Sequence, residues 1–141
     1  MALRVERSQR ETFVKINGVR CHVRYGNLNQ KGDWWFGFLP ADMVSAKDCQ
    51  YAFLVCGLPN DFVEIYMVPF GELASFLRQG VVVPGSEELH AFIPPGIGNR
   101  MKVTGNTATE IPMAPHKIYR GRVGPKLAEV VADKLQAGIA A

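Results

Sequence analysis

Long hydrophobic runs, paired cysteines and familiar catalytic spacings are all missing from this chain. No apolar stretch approaches the roughly 18 residues of a membrane span, so no membrane partner is expected. The segment Met1 to Arg10 lacks the apolar region of a secretory signal. Cysteine is scarce. Cys21, Cys49 and Cys56 are odd in number and form no C-x-x-C pair, so they read as reduced thiols of a cytoplasmic protein. Histidine is equally scarce. His22, His90 and His116 show no H-x-x-x-H or H-E-x-x-H spacing, and no metal is expected. Gly96-Ile97-Gly98 lacks the third glycine and the following helix of a dinucleotide fingerprint, so it reads as a hairpin loop and no cofactor is expected. Asp33, Asp48, Asp61 and Glu64 lie in or beside turns, where an aspartate commonly accepts local backbone hydrogen bonds.

What is present starts with a hairpin. Asn17-Gly18 separates two alternating runs, Thr12 to Ile16 and Val19 to Tyr25. Asn-Gly in that setting predicts a two-residue turn, which fixes register. Ile16 then faces Val19, Lys15 faces Arg20, Val14 faces Cys21, Phe13 faces His22 and Glu11 faces Arg24. One face carries Val14, Ile16, Val19, Cys21 and Val23, as a core needs. The other carries Lys15, Arg20, His22 and Arg24 with Phe13 among them. Lys15 opposite Arg20 costs a fraction of a kcal/mol unless something offsets it. Cys21-His22 is no thiol–imidazole pair, because neighbours on a strand point to opposite faces.

At 141 residues and 48% hydrophobic, the chain fits one domain, 1–141, with its own core. Trp34 to Leu39 reads as a strand ended by Pro40, and Ala41 to Gln50 as a connection with a short helix after Asp42. Tyr51 to Cys56 is continuously apolar, like a strand buried on both faces, which makes Cys56 a core thiol. Phe62 to Val68 is the next strand. Pro69 opens a helix whose face is Phe70, Leu73, Phe76 and Leu77, with Gly80 placed to end it. Val81 to Val83, His90 to Ile93 and Asn99 to Val103 are short strand candidates. A last helix begins near Pro125, with Leu127, Val130, Val131 and Leu135 on one face and Gly138 as its cap. The expected fold is α+β, a central mixed sheet starting with a β-hairpin and carrying two helices mainly on one face. On a strand one of Trp34 and Trp35 must point in and the other out. The outward indole is simple packing, an aromatic platform for a base, or part of an oligomer contact.

The order of segments resembles the PD-(D/E)XK nuclease superfamily, the restriction-endonuclease-like fold, over about residues 11–80. His22-Val23-Arg24 stands where that pattern has Gln/Glu-Val-Lys. Trp34-Trp35-Phe36-Gly37-Phe38 is similar to its aromatic strand, and Asp48 to Cys56 to the next one. Ile65-Tyr66-Met67-Val68-Pro69 followed by Glu72-Leu73 is similar to its strand-to-helix step. The resemblance implies a phosphodiester-facing surface. It also implies a degenerate site, because His22 replaces the second acid and Arg24 the lysine, and arginine stays protonated. Glu11 alone remains as a first acid.

Charge points the same way. Residues 1–24 hold six Lys/Arg against two acids, residues 25–99 three against eight, and residues 100–141 seven against three. Such asymmetry fits a polyanion-facing surface, and it equally fits basic chain ends that are simply solvated. The sequence therefore predicts a domain that binds DNA, RNA or another polyanion without catalysis of its own, through Lys15, Arg20, His22, Arg24, Trp34 and Trp35. One alternative is a divergent metal-dependent nuclease using Glu11 with Asp33 or Asp48. Another is a homo-oligomeric module that holds a small acidic ligand or a protein partner near Trp34-Trp35.

Overall fold

The computed structural model describes residues 5–7, 13–45, 48–96 and 98–140. The hairpin has the expected register: Phe13 opposite His22, Val14 opposite Cys21, Lys15 opposite Arg20 and Ile16 opposite Val19. Asn17 and Gly18 both take positive φ, 49° and 80°, as a two-residue turn between right-twisted strands requires. The proposed partner of Arg24, Glu11, lies outside the described residues.

The hairpin strands are β2 (Phe13–Ile16) and β3 (Val19–Leu28). A short strand, β1 (Val5–Arg7), pairs with β2 and places Glu6 at the register position opposite Lys15. Strand β3 is the hinge of the architecture. Its first residues pair with β2, Cys21 to Gly26 pair in parallel with β5 (Tyr51–Gly57), and Asn27 and Leu28 pair with β4 (Trp34–Phe38). Between β4 and β5 lies α1 (Pro40–Ser45). Strand β5 turns tightly into β6 (Phe62–Pro69), with Asn60 and Asp61 both at positive φ. Then come α2 (Phe70–Leu77), β7 (Leu89–Ile93), β8 (Arg100–Val103) and β9 (Asn106–Pro112). A 3-10 turn, Ala114–His116, leads into β10 (Lys117–Arg122), and α3 (Pro125–Ala140) closes the described chain. The ten strands described form one mixed sheet, ordered β10-β6-β5-β3-β4-β7-β8-β9, with β2 and β1 branching from β3. It is curled into a half-barrel.

Strand alternation splits the core in two. Inside the curl, Trp34, Phe36, Phe38, Ala52, Leu54, Ile93 and Met101 meet α2 through Phe70, Leu73, Phe76 and Leu77. Outside it, Val14, Ile16, Cys21, Phe53, Ile65 and Met67 meet α3 through Val131 and Leu135. The mixed α+β class is as expected. The helix detail is corrected: three helices are described rather than two, and α2 and α3 lie on opposite faces, because both faces of β5 and β6 are apolar and each needs a cover.

Gly138 is not a cap. It lies within α3 where a methyl group would run into the Tyr51 hydroxyl, so its smallness lets the helix approach the sheet. Of the expected strand Val81 to Val83, only an isolated bridge from Val83 to Glu88 forms. No helix among the described residues is long and apolar enough to cross a membrane.

Candidate ligand face

The structure divides the six residues expected to bind a polyanion, Lys15, Arg20, His22, Arg24, Trp34 and Trp35, between the two sides of the sheet. Five of them lie on the inner side of the sheet. His22 is 1% exposed, stacked 4.4 Å from Phe13 and edge-on to Phe70 at 5.8 Å. Trp34 is also 1% exposed, and its indole Nε1 donates to the Gly57 carbonyl at 2.8 Å, tying β4 to the end of β5. Arg24 is half-buried. It donates through Nη2 to the Gly37 carbonyl, with its guanidinium 5.8 Å from the Phe38 ring centre. At the hairpin tip this side opens to solvent. Lys15 is exposed there, and Arg20 lies over the Phe13 ring at 5.5 Å, with Asp48 3.9 Å away.

The hairpin face is therefore not an open basic patch. His22 and Phe13 on it belong to the interior, because the curl of the sheet folds that side inward. The like-charged Lys15–Arg20 pair is flanked in register by Glu6 on one side and approached by Asp48 on the other.

Trp35 alone of the six is on the outer side, and there it has company that the sequence reading did not assemble. Register links Asn27 to Trp35, Trp35 to Phe92, Phe92 to Lys102 and Lys102 to Glu110, one row across β3, β4, β7, β8 and β9. His90 is the diagonal neighbour, its ring 5.2 Å from that of Trp35. Tyr25, 69% exposed, stands two positions before Asn27 on the same face. Trp35, His90 and Phe92 are half-buried, and Lys102 is exposed.

The loop between β3 and β4 forms a raised wall beside this row. Asn29 organises it: its side-chain Oδ1 accepts from the backbone N–H of Lys31 at 2.9 Å and of Asp33 at 3.0 Å. The Asn29 N–H donates to the Asp33 carbonyl at 2.8 Å. Such an Asx turn holds a polar loop without a hydrophobic anchor. A groove of about 490 Å³ results, lined by Asn29, Gln30, Lys31, Asp33, Phe92 and Lys102.

Its lining holds two lysines and one acid. Glu110, opposite Lys102 in register, is drawn instead to Arg100 at 2.7 Å. Among the described residues neither Lys31 nor Lys102 has a carboxylate within ion-pair distance. Asp33 is the acid of the groove. At the far end Glu88 folds over Gly37, where any side chain would meet its carboxylate at 2.8 Å, and its Oε1 lies 3.6 Å from His90 Nε2.

The other polar cluster is internal. Glu64, 1% exposed, is approached by Lys117 Nζ and Arg120 Nη1, each at 3.0 Å, and receives the Tyr66 hydroxyl at 3.2 Å. Asn99 Nδ2 donates in turn to that hydroxyl at 2.8 Å. Burial raises the Tyr66 pKa well above the ordinary phenol value. A register shift between Lys117 and Tyr119 turns both cations toward Glu64. The Cys56 thiol, fully buried nearby, is also pushed up by burial and by the Glu64 charge. This network neutralises a carboxylate inside the sheet.

Among the described residues no group of three or more His, Cys, Asp or Glu could hold a metal ion. Of the acids that the nuclease alternative drew on, Glu11 lies outside the described residues. Asp48 sits by Arg20 at the start of β3, and Asp33 follows its end. The two lie at opposite ends of β3, so that alternative can draw on one of them and not both. No protein family, curated protein or solved structure matches the chain.

Proposed function

We propose that this domain binds nucleic acid or a related polyanion, with no catalytic step of its own, through the outer face of β4, β7 and β8. The observation that carries the reading is the row Trp35–Phe92–Lys102 beside the Lys31 wall. It joins two aromatic rings to two cations that have no carboxylate within ion-pair distance among the described residues, on a stretch of sheet outside the core that α3 completes. Lysines in such a place position phosphates, and aromatic rings accept planar groups. The hairpin cations Lys15 and Arg20 lie on the other side of the sheet and have no part in this contact.

The test is a titration of a fluorescently labelled short oligonucleotide at several salt concentrations. Two phosphate contacts imply a slope of log K against log salt of about −1.4 to −1.8. Replacing Lys31 and Lys102 together by alanine should bring that slope close to zero. Absence of binding at low salt, or a slope indifferent to the double variant, would refute the reading.

A further inference from the structure

We infer that the ligand of this face is single-stranded nucleic acid, held by one or two unpaired bases against Trp35 and Phe92 while Lys31 and Lys102 take the adjoining phosphates. The inference rests on the proposed function and narrows it. A duplex hides the faces of its bases and offers mainly phosphate. A surface built for duplex backbone needs many cations and gains nothing from half-buried rings. Here the proportion is reversed. The groove has two lysines, and its acid Asp33 disfavours a dense array of phosphates. The aromatic content is high for an exposed sheet face: Trp35 and Phe92 are direct cross-strand neighbours, and His90 tilts against Trp35 at 48° and so helps hold that ring.

The size agrees. About 490 Å³ beside Phe92 is the scale of a small-molecule site, enough for a base with its sugar. The wall is also held in place beforehand by the two hydrogen bonds to Asn29 Oδ1, so Lys31 is presented at the rim without ordering a loop on binding. Neither stacking nor phosphate contact reads a 2′-hydroxyl, so the sugar is immaterial.

The experiment compares four probes at low salt: oligothymidylate and oligouridylate of about ten nucleotides, a duplex of the same length, and inorganic polyphosphate. Binding is read by competition and by tryptophan fluorescence. Single strands should bind at least about tenfold more tightly than duplex or polyphosphate, and DNA and RNA strands should agree within about threefold. They should quench a signal that Trp35→Phe removes, since Trp34 is buried. Phe92→Leu keeps an apolar side chain but no ring face, and should cost the single strands about tenfold while leaving polyphosphate unchanged. Equal affinity for duplex and single strand, or a neutral Phe92→Leu in a folded protein, overturns the inference and leaves the proposed function standing. A strong preference for RNA or DNA overturns the sugar-blind geometry. Failure of all four probes to bind removes the proposed function itself.

Discussion

The outer side of one curled sheet comes in two halves with opposite compositions. Under α3 it is aliphatic: Val14, Ile16, Cys21, Ile65 and Met67, with Phe53, meet Val131 and Leu135. Beyond α3 it carries Trp35, His90, Phe92 and Lys102. Aliphatic side chains interlock with a helix and gain by leaving water, so the first half is what a covered face requires. Rings set among lysines gain less from a helix, because the cations would have to be desolvated. The second half keeps its aromatic surface at the boundary of water. The contrast separates a surface that holds the protein together from one that suits an external partner.

The sharpest way to break that comparison is a truncation in each half. Leu135 is 1% exposed, and Leu135→Ala should lose about 3 kcal/mol of stability, from lost transfer energy and an unfilled cavity. Phe92 is only half-buried, and Phe92→Ala should lose about 1 kcal/mol, the order of one cross-strand aromatic pair. Urea denaturation measures both. Equal losses would mean that the uncovered half is core after all.

Alkaline pH probes the covered half next. Burial, and then the neighbouring Cys49, push the Cys21 thiol from an ordinary 9.0 up to about 12. The folded state keeps a proton that the unfolded chain gives up first. The stabilisation is complete below about pH 9 and is lost as pH rises toward 12, at about 1.4 kcal/mol per pH unit for one thiol. By pH 10.5 this is about 2 kcal/mol. Cys56 acts in the same direction. Stability measured against pH in Cys21→Ala should fall less steeply above pH 9 than in the parent. Parallel curves would place this thiol in contact with water.

How much of this was legible in the sequence depends on distance along the chain. The hairpin was readable over its four described pairs, because Asn17-Gly18 fixes register locally. The α2 face was readable from its period. The strands β9 and β10 were not, for different reasons. Asn106 to Pro112 is polar over most of its length, with Ile111 its one large apolar residue, and Lys117 to Arg122 is an edge strand with Ile118 and Tyr119 packed on the outer core.

Sidedness was the larger obstacle. Alternation correctly placed Lys15, Arg20, His22 and Arg24 on one face, but only the curl shows that this face turns inward. The row from Trp35 through Phe92 to Lys102 joins strands far apart in sequence, and no local pattern announces it. The outward tryptophan of Trp34-Trp35 was its only local signal.

The smallest expected effect is also the most discriminating for the site. Lys15 and Arg20 are the cations that the sequence favoured, and they are adjacent across the hairpin just as Lys31 and Lys102 share the groove. They differ in setting. Glu6 occupies the register position opposite Lys15, Asp48 approaches Arg20, and Lys15 and Arg20 lie on the inner side by alternation. Removing them relieves a like-charge opposition but forfeits the contact of Arg20 with the Phe13 ring, two effects of a few tenths to about 1 kcal/mol with opposite signs. The variant Lys15→Gln with Arg20→Gln should therefore change stability by less than about 1 kcal/mol. Its salt slope for an oligonucleotide should match the parent, whereas Lys31→Ala with Lys102→Ala should flatten it by about 1.4 to 1.8. Both pairs remove the same formal charge, so a difference between them measures position and not net charge. If the hairpin pair flattens the slope and the groove pair does not, the binding face lies at the hairpin tip, and the uncovered half of the sheet needs another explanation.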